Sequence, residues 1–270
     1  MTRDAAAVGL ERTGGPAGGT WRERIRSGVA RGAQSWSVRP RTLVALWTLP
    51  LWIVLGAMLA AVMGKAAYKW YASEDGFAET LQALLYAAAL IYALRLSLRM
   101  HRTGVDRRLV ALYGLLCLGL VFMVGEEISW GQRIVGWGTP ELLVETNKQA
   151  ETNLHNIYGV GATFKWLQMV VAGYGVILPI LVAVGWRPLQ RFGAWLIWIV
   201  PHWTLIPFFL PLFVWRIYRL ALPDPPPSLY LVITEFNEVV ELIFALGVFL
   251  FVLWQWRRLA RGSAALPAAA

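Results

Sequence analysis

Cysteine occurs once in this chain of 270 residues, at Cys117, and histidine three times. A single cysteine excludes an intramolecular disulfide, and no Cys or His pair has zinc-finger spacing. Cys117 lies inside an apolar run and reads as a small packing residue rather than a reactive thiol. Charge is also scarce. Asp, Glu, Lys and Arg make up 15% of the chain, where a soluble domain carries about 25%. With 57% hydrophobic residues and a mean hydropathy of +0.52, an ordinary soluble domain is excluded. Residues 1–42 contain no apolar core, so no cleaved signal peptide is expected there. Nothing resembles a Gly-x-Ser-x-Gly elbow or a glycine-rich phosphate loop, so serine-nucleophile chemistry has little support. No internal repeat of the kind many secondary transporters carry is visible.

What the chain does have is long apolar runs. Six of them, Leu43–Met63, Phe77–Leu98, Leu109–Ile128, Trp166–Trp186, Phe192–Trp215 and Leu229–Trp254, are each close to the ~20 residues that cross a ~30 Å hydrocarbon layer. Trp and Tyr crowd their ends, as an interfacial aromatic belt does. The expected fold is therefore all-α: a polytopic helical bundle with six transmembrane helices. It divides into a basic N-terminal segment (1–42), a membrane domain (43–256) and a short tail (257–270). The Gly14–Gly19 tract is expected to be disordered. Trp21–Trp36, with Trp21, Ile25 and Val29 four apart among arginines, suits a short basic helix on an anionic membrane surface or, equally, a solvated basic tail.

Six spans put both termini on one side. That side holds eighteen of the 25 lysines and arginines, the other seven, so the positive-inside rule makes both termini cytoplasmic. This topology accounts for the net charge of +9 without nucleic acid. The acids divide the other way. Of the 16, only Asp4, Glu11, Glu23 and Asp106 belong to the terminal side. The other twelve fall in outer loops or outer halves of spans, so the anionic features inside the membrane are expected to open to the extracytoplasmic face.

A charge at the bilayer centre costs roughly 2.5–3.5 kcal/mol on insertion scales, so intramembrane acids need a reason. Glu235, Glu238 and Glu241 in the sixth span fall within about 120° of one helix face, since each residue turns about 100°. Asn237 is four residues before Glu241. In the second span Asp75, Glu79, Gln82 and Tyr86 form one stripe; capping accounts for Glu74 and Asp75, less well for Glu79 and Gln82. The third span ends in Glu126-Glu127, two carboxylates where the helix dipole favours cations. The long segment 129–165 that follows reads as an interfacial or re-entrant lid. In it Glu151 and His155 are four apart, with Asn153 and Asn156 flanking the imidazole. In the fifth span Pro201, Pro207 and Pro211 break the hydrogen-bond ladder. His202 there reads as a satisfied core histidine, and Arg216 and Arg219 sit at the outer rim.

Glu79, Glu126, Glu127, Glu151, His155, Glu238 and Glu241 are accordingly the candidate metal ligands, since clustered carboxylates with one imidazole suit a hard or borderline divalent cation. Glu127, His155 and Glu238 are the candidate catalytic groups, with Glu238 or Glu127 as general base, and Arg133, Arg216 and Arg219 the candidates to orient an anionic lipid.

The strings Glu126-Glu127-Ile128-Ser129-Trp130-Gly131-Gln132-Arg133 and Glu151-Thr152-Asn153-Leu154-His155-Asn156 resemble signatures of a group of bacterial multi-pass membrane proteins. That resemblance covers most of the chain from about Trp70 and implies a bacterial inner membrane but no particular activity. Glu126-Glu127, His155 and His202, in that order, are also similar to the motif of the CAAX-protease-like membrane glutamate proteases. Arg133 is two places late for that motif and Ile206 stands where it has Asn. A comparison with alkaline ceramidase-like hydrolases lacks a third histidine ligand. The expectation is an enzyme, a metal-dependent hydrolase or transferase on a lipid or lipid-linked substrate. A cation- or proton-coupled transporter and a non-catalytic scaffold are the alternatives.

Overall fold

The structure, a computed structural model, describes residues 20–262 apart from the side chain of Arg133. The Gly14–Gly19 tract lies outside the described residues. Among them there is no strand, only an isolated bridge between Asn147 and Ile157. The helices are α1 (Trp21–Trp36), α2 (Pro40–Met63), α3 (Lys65–Ala72), α4 (Phe77–Arg102), α5 (Arg107–Glu127), α6 (Val160–Ala183), α7 (Ile206–Ala221) and α8 (Tyr230–Ala260). Short helical turns join them at residues 129–146, 187–199, 203–205 and 227–229. Six helical stretches are long and apolar enough to cross a membrane. Their outer faces are what lipid requires: Leu115, Leu118 and Val62 are exposed by 65%, 67% and 87%, which water would penalise and acyl chains do not.

Helix α8 is the central stave. It packs on α4 along one side and on α7 along the other, while α5 packs on α4 and α6 on α7. Helices α5 and α6 make no extended contact and meet through Phe122 and Phe164, whose rings stack at 5.6 Å. Small residues set the close approaches, as membrane packing favours. A Cβ on Gly247 of α8 would stand 2.8 Å from Phe208 Cβ, and one on Gly175 of α6 would enter the Phe209 ring at 2.3 Å. Ala78, Ala89, Ala93 and Ala245 are buried between helices for the same reason.

Capping by Thr20 and Glu23 starts α1, and Trp36 closes it against α8. Arg261 donates to the Trp36 carbonyl at 3.3 Å, so the described chain begins and ends at one end of the bundle. At the other end α3 caps α2 and α8, Tyr71 donating to the Ile53 carbonyl at 2.9 Å and Tyr68 to that of Val232 at 2.7 Å.

The fifth span is discontinuous. After Leu196–Ile199 the chain unwinds at 200–202, where Val200 is extended ahead of Pro201. In a membrane the freed carbonyls need partners from the protein. Gln255 and Arg258 of α8 donate to the Ile197 carbonyl at 2.8 and 3.0 Å, and Tyr113 of α5 to that of Trp198 at 2.7 Å. Tyr174 of α6 caps Ile199. Arg258 lies over the rings of Trp254 (4.5 Å) and Trp198 (5.4 Å), so a buried cation is held by π faces and a carbonyl. Here too sits His202, its Nδ1 2.8 Å from Thr204 Oγ1, while Trp36 donates to the same hydroxyl at 2.8 Å. His202 is a hydrogen-bonded core histidine, as its surroundings in the sequence suggested.

Candidate functional site

The far end of the bundle, the one with α3, holds the acids. Helix α4 begins at Phe77, after Asp75 takes a left-handed φ of 65° and Gly76 forms the N-cap. The Glu79 carboxylate reaches back to accept from the Asp75 amide. Glu79, Gln82 and Tyr86 are all buried, so the polar stripe is real and faces inward. Gln82 donates through Nε2 to Glu238 of α8, at 3.0 Å to Oε2 and 3.2 Å to the backbone carbonyl. This fixes the Glu238 carboxylate by one oxygen. Its Oε1 receives no hydrogen bond from the described residues.

Helix α5 ends at Glu127, and the chain reverses through Ser129, Trp130 and Gly131, all at positive φ (48°, 53° and 93°). Two adjacent non-glycine residues in this region are uncommon and need surrounding contacts to hold them. The Trp130 ring folds back over Gly125, where a Cβ would meet it at 3.0 Å, and its Nε1 donates to Glu126 Oε1 at 2.7 Å. The other Glu126 oxygen accepts from the amides of Leu154 and His155, both at 2.8 Å, and lies 3.1 Å from His155 Nδ1. Glu126 is thus the anchor of the segment that follows, which resolves why a carboxylate ends this helix against its dipole.

The segment is shorter than the apolar pattern implied, because α6 begins at Val160 rather than Trp166. It folds on itself: Asn147 donates to Asn153, Lys148 N to the Asn156 carbonyl at 3.0 Å, and Thr152 N to Gln132 at 2.7 Å. Glu151 accepts from Ser129 and Asn153 within this fold and does not line the space below.

That space is a cavity of about 440 Å³ between the segment and the helices. Glu74 and Glu79 line it from the α4 side, Glu126 and Glu127 from α5, Glu238 and Glu241 from α8. Opposite stand Lys148 and His155 of the segment, Lys165 and Gln168 of α6, and Arg216 of α7. Arg216 is 4% exposed and pairs with Glu241. It also donates to Gln168 and, at 3.0 Å, to Asn237, whose side chain goes to α7 rather than to Glu241. Its Nε has no acceptor among the described residues.

Of the twelve positions that sequence patterning put forward or grouped with them, this cavity gathers Glu79, Glu126, Glu127, His155, Glu238, Glu241 and Arg216. It leaves out Glu151, Glu235, Arg219 and His202, and the Arg133 side chain lies outside the described residues. Among the described residues no group of three His, Cys, Asp or Glu side chains is placed to hold a metal ion. Glu126 has both oxygens committed to the segment and Glu241 is paired with Arg216. Lys148, Lys165 and Gln168 were missed by sequence. The three-residue spacing of Lys165 and Gln168 at the start of the fourth span was the available signal.

Burial opposes protonation of His155. The hydrogen bond to Glu126 and the nearby carboxylates of Glu241, Glu126 and Glu74 outweigh it, so the imidazole pKa is raised. A raised pKa in the folded state means stabilisation that is complete below the unfolded value of about 6.5 and lost as pH rises through the folded value. We therefore expect amide protection across 147–158, corrected for intrinsic exchange, to be greater at pH 6 than at pH 8.5. His155→Gln should abolish that difference. Equal protection at both pH values in the parent would show that His155 does not hold the segment.

These features define a class: a multi-pass helical membrane protein with a charged cavity at one end of its bundle, roofed by an anchored loop. No protein-family model, curated protein or solved structure matches this chain.

Proposed function

We propose that the cavity is the active site of a membrane-embedded hydrolase or transferase acting on a lipid or lipid-linked substrate. The observation that carries this reading is that Glu127 and Glu238, from two helices, line one cavity with Arg216 inside a membrane bundle. Glu238 is oriented by Gln82 at one oxygen, which leaves the other to exchange a proton with substrate or water, the task of a general acid or base. Glu127 is its partner in this exchange, and Arg216 orients an anionic group. His155 and Glu126 hold the roof closed over the site, excluding water.

A divalent cation belongs to this reading as an addition that the carboxylates would attract. In the present side-chain positions they do not form a coordination set, and no step is routed through it. A transporter needs a polar path to the other end of the bundle. There Trp198, Tyr113, Met100 and Leu259 pack into a dense cluster instead. A scaffold accounts for Glu126 and Glu241 and leaves the cavity without a purpose. On the distribution of Lys and Arg, the site opens to the extracytoplasmic face of the membrane.

The test is to incubate the full chain in nanodiscs with a total bacterial lipid extract and follow every lipid class by mass spectrometry, with and without chelator. Consumption of one class by the parent is the expected result. If activity persists in chelator and the purified protein holds well under one equivalent of divalent metal, the chemistry rests on the carboxylates. If no class changes under any condition, the enzymatic reading is wrong.

A further inference from the structure

We infer that the first half of α1 is a docking surface for anionic phospholipid. Its apolar stripe lies among the headgroups of the leaflet at this end of the bundle, with Arg22, Arg24, Arg26 and Arg31 reaching phosphates on either side. The inference is independent of the cavity at the other end.

The stripe comes from spacing. Trp21, Ile25, Val29, Gly32 and Trp36 are four, four, three and four residues apart, so at about 100° per residue they share an arc of about 80°. Arg22 and Arg26 border one edge of that arc, Arg24 and Arg31 the other, and Glu23, Ser27, Ala30 and Gln34 occupy the opposite face.

The bundle covers only part of this stripe. Gly32 and Trp36 are buried. A Cβ on Gly32 would come within 2.8 Å of Leu43 and 3.0 Å of Thr204, and Trp36 donates to the Thr204 hydroxyl at 2.8 Å. Val29 is half-buried. Trp21 and Ile25, on the same face, are exposed by 67% and 57%. The open part therefore continues an interface that the fold already makes, running about 16 Å past Gly32 at about 1.5 Å per residue.

Place and charge decide what covers it. Only Ser37, Val38 and Arg39 separate α1 from α2, which is long and apolar enough to cross a membrane. The end of α1 is thus held where the chain enters hydrocarbon, and its arginines bar the rest of the helix from the acyl layer. That leaves the interface, where a basic amphipathic helix buries its apolar face between headgroups. None of the four arginines pairs with a carboxylate among the described residues. The one acid of the helix, Glu23, is committed to the capping box with Thr20. On the distribution of Lys and Arg, this end meets the cytoplasmic leaflet, whose anionic lipids attract basic segments close to the surface. A second copy of the chain on this stripe would set the same arginines against one another.

The experiment is hydrogen–deuterium exchange on the full chain in nanodiscs of phosphatidylcholine, alone or mixed with phosphatidylglycerol. Amides of residues 24–31 should exchange roughly tenfold more slowly in the anionic discs, with α5 unchanged as the internal control. Salt at about 1 M, which shortens the screening length to about 3 Å, should erase the difference. Arg22→Gln, Arg24→Gln and Arg26→Gln combined should exchange alike in both discs. Trp21→Ser with Ile25→Ser should lose the slow exchange while the helical circular dichroism is kept, since all five side chains are exposed and none supports the bundle. Equal exchange of the parent in the two discs overturns the inference. Slow exchange that persists in the arginine variant overturns the selection for anionic lipid. Protection that follows protein concentration rather than lipid charge assigns the stripe to a second copy and overturns the lipid.

Discussion

Glu238→Gln is expected to lower turnover of the lipid substrate by about 10²–10⁴-fold, the usual contribution of a positioned general acid or base. The substitution preserves shape, and its amide can still bond the Gln82 side chain, which now contributes donor or acceptor as required. What the amide cannot do is exchange a proton at neutral pH. The loss should therefore appear in kcat, with KM changing far less, and the thermal transition should stay within a few degrees of the parent. Glu235→Gln is the matched control: the same substitution, one turn earlier on α8, at a side chain that does not line the cavity. It should retain near-parental turnover. A Glu238→Gln protein with a tenth or more of parental activity would take Glu238 out of the chemistry and leave Glu127 as the group to test.

Glu126→Ala is the second large effect, and it concerns the roof. One carboxylate accepts from the indole of Trp130 and the amides of Leu154 and His155 and contacts the His155 ring. Each hydrogen bond to a charged group is worth about 1.5–3 kcal/mol, and the amides left behind would be half-buried without partners. A local loss of roughly 3–5 kcal/mol follows, a factor of at least 10² in the opening equilibrium. The six spans do not depend on this carboxylate, so the result should be local release rather than unfolding. Limited proteolysis should cut within 147–158 at least a hundredfold faster, while the helical circular dichroism stays unchanged. Glu126→Gln should fall between, because its carbonyl oxygen still accepts while its NH₂ opposes the other donors. Parental resistance in Glu126→Ala would mean that the Asn147 and Gln132 contacts hold the segment without it.

The two glutamates show how far one sequence can be read. The stripes on the second and sixth spans were legible from spacing alone, since helix geometry places residues three and four apart on one face. Glu79, Gln82, Glu238 and Glu241 all turn inward as that geometry requires. Adjacent Glu126 and Glu127 looked equivalent and both line the cavity, yet Glu126 is also an anchor for a loop residue 29 positions later. Nothing local distinguishes them, because the partner amides arrive through a chain reversal at Ser129 and Trp130. Lys165 was overlooked for a related reason: at the end of an apolar run a lysine ordinarily reaches for headgroups. The start of α6 instead turns it to the cavity. Arg216 and Arg219 have similar flanks in sequence, an aromatic before and an aliphatic after. Yet Arg216 is buried against Glu241, whereas Arg219, one turn nearer the end of the helix, lies out of the cavity.

By itself the sequence determined that this is a multi-pass membrane protein with six spanning helices and acids gathered toward one end. Long apolar runs leave the backbone no hydrogen-bond partner in hydrocarbon except itself, so composition and length suffice to dictate helices. Tertiary structure alone decided which acids share a cavity, which are consumed as anchors, and that lysines from a loop and a fourth span face them. Those outcomes depend on the rotation of packed helices and on where a loop returns. Both are set by contacts between residues far apart in the chain, such as Gln82 with Glu238 and Glu126 with His155.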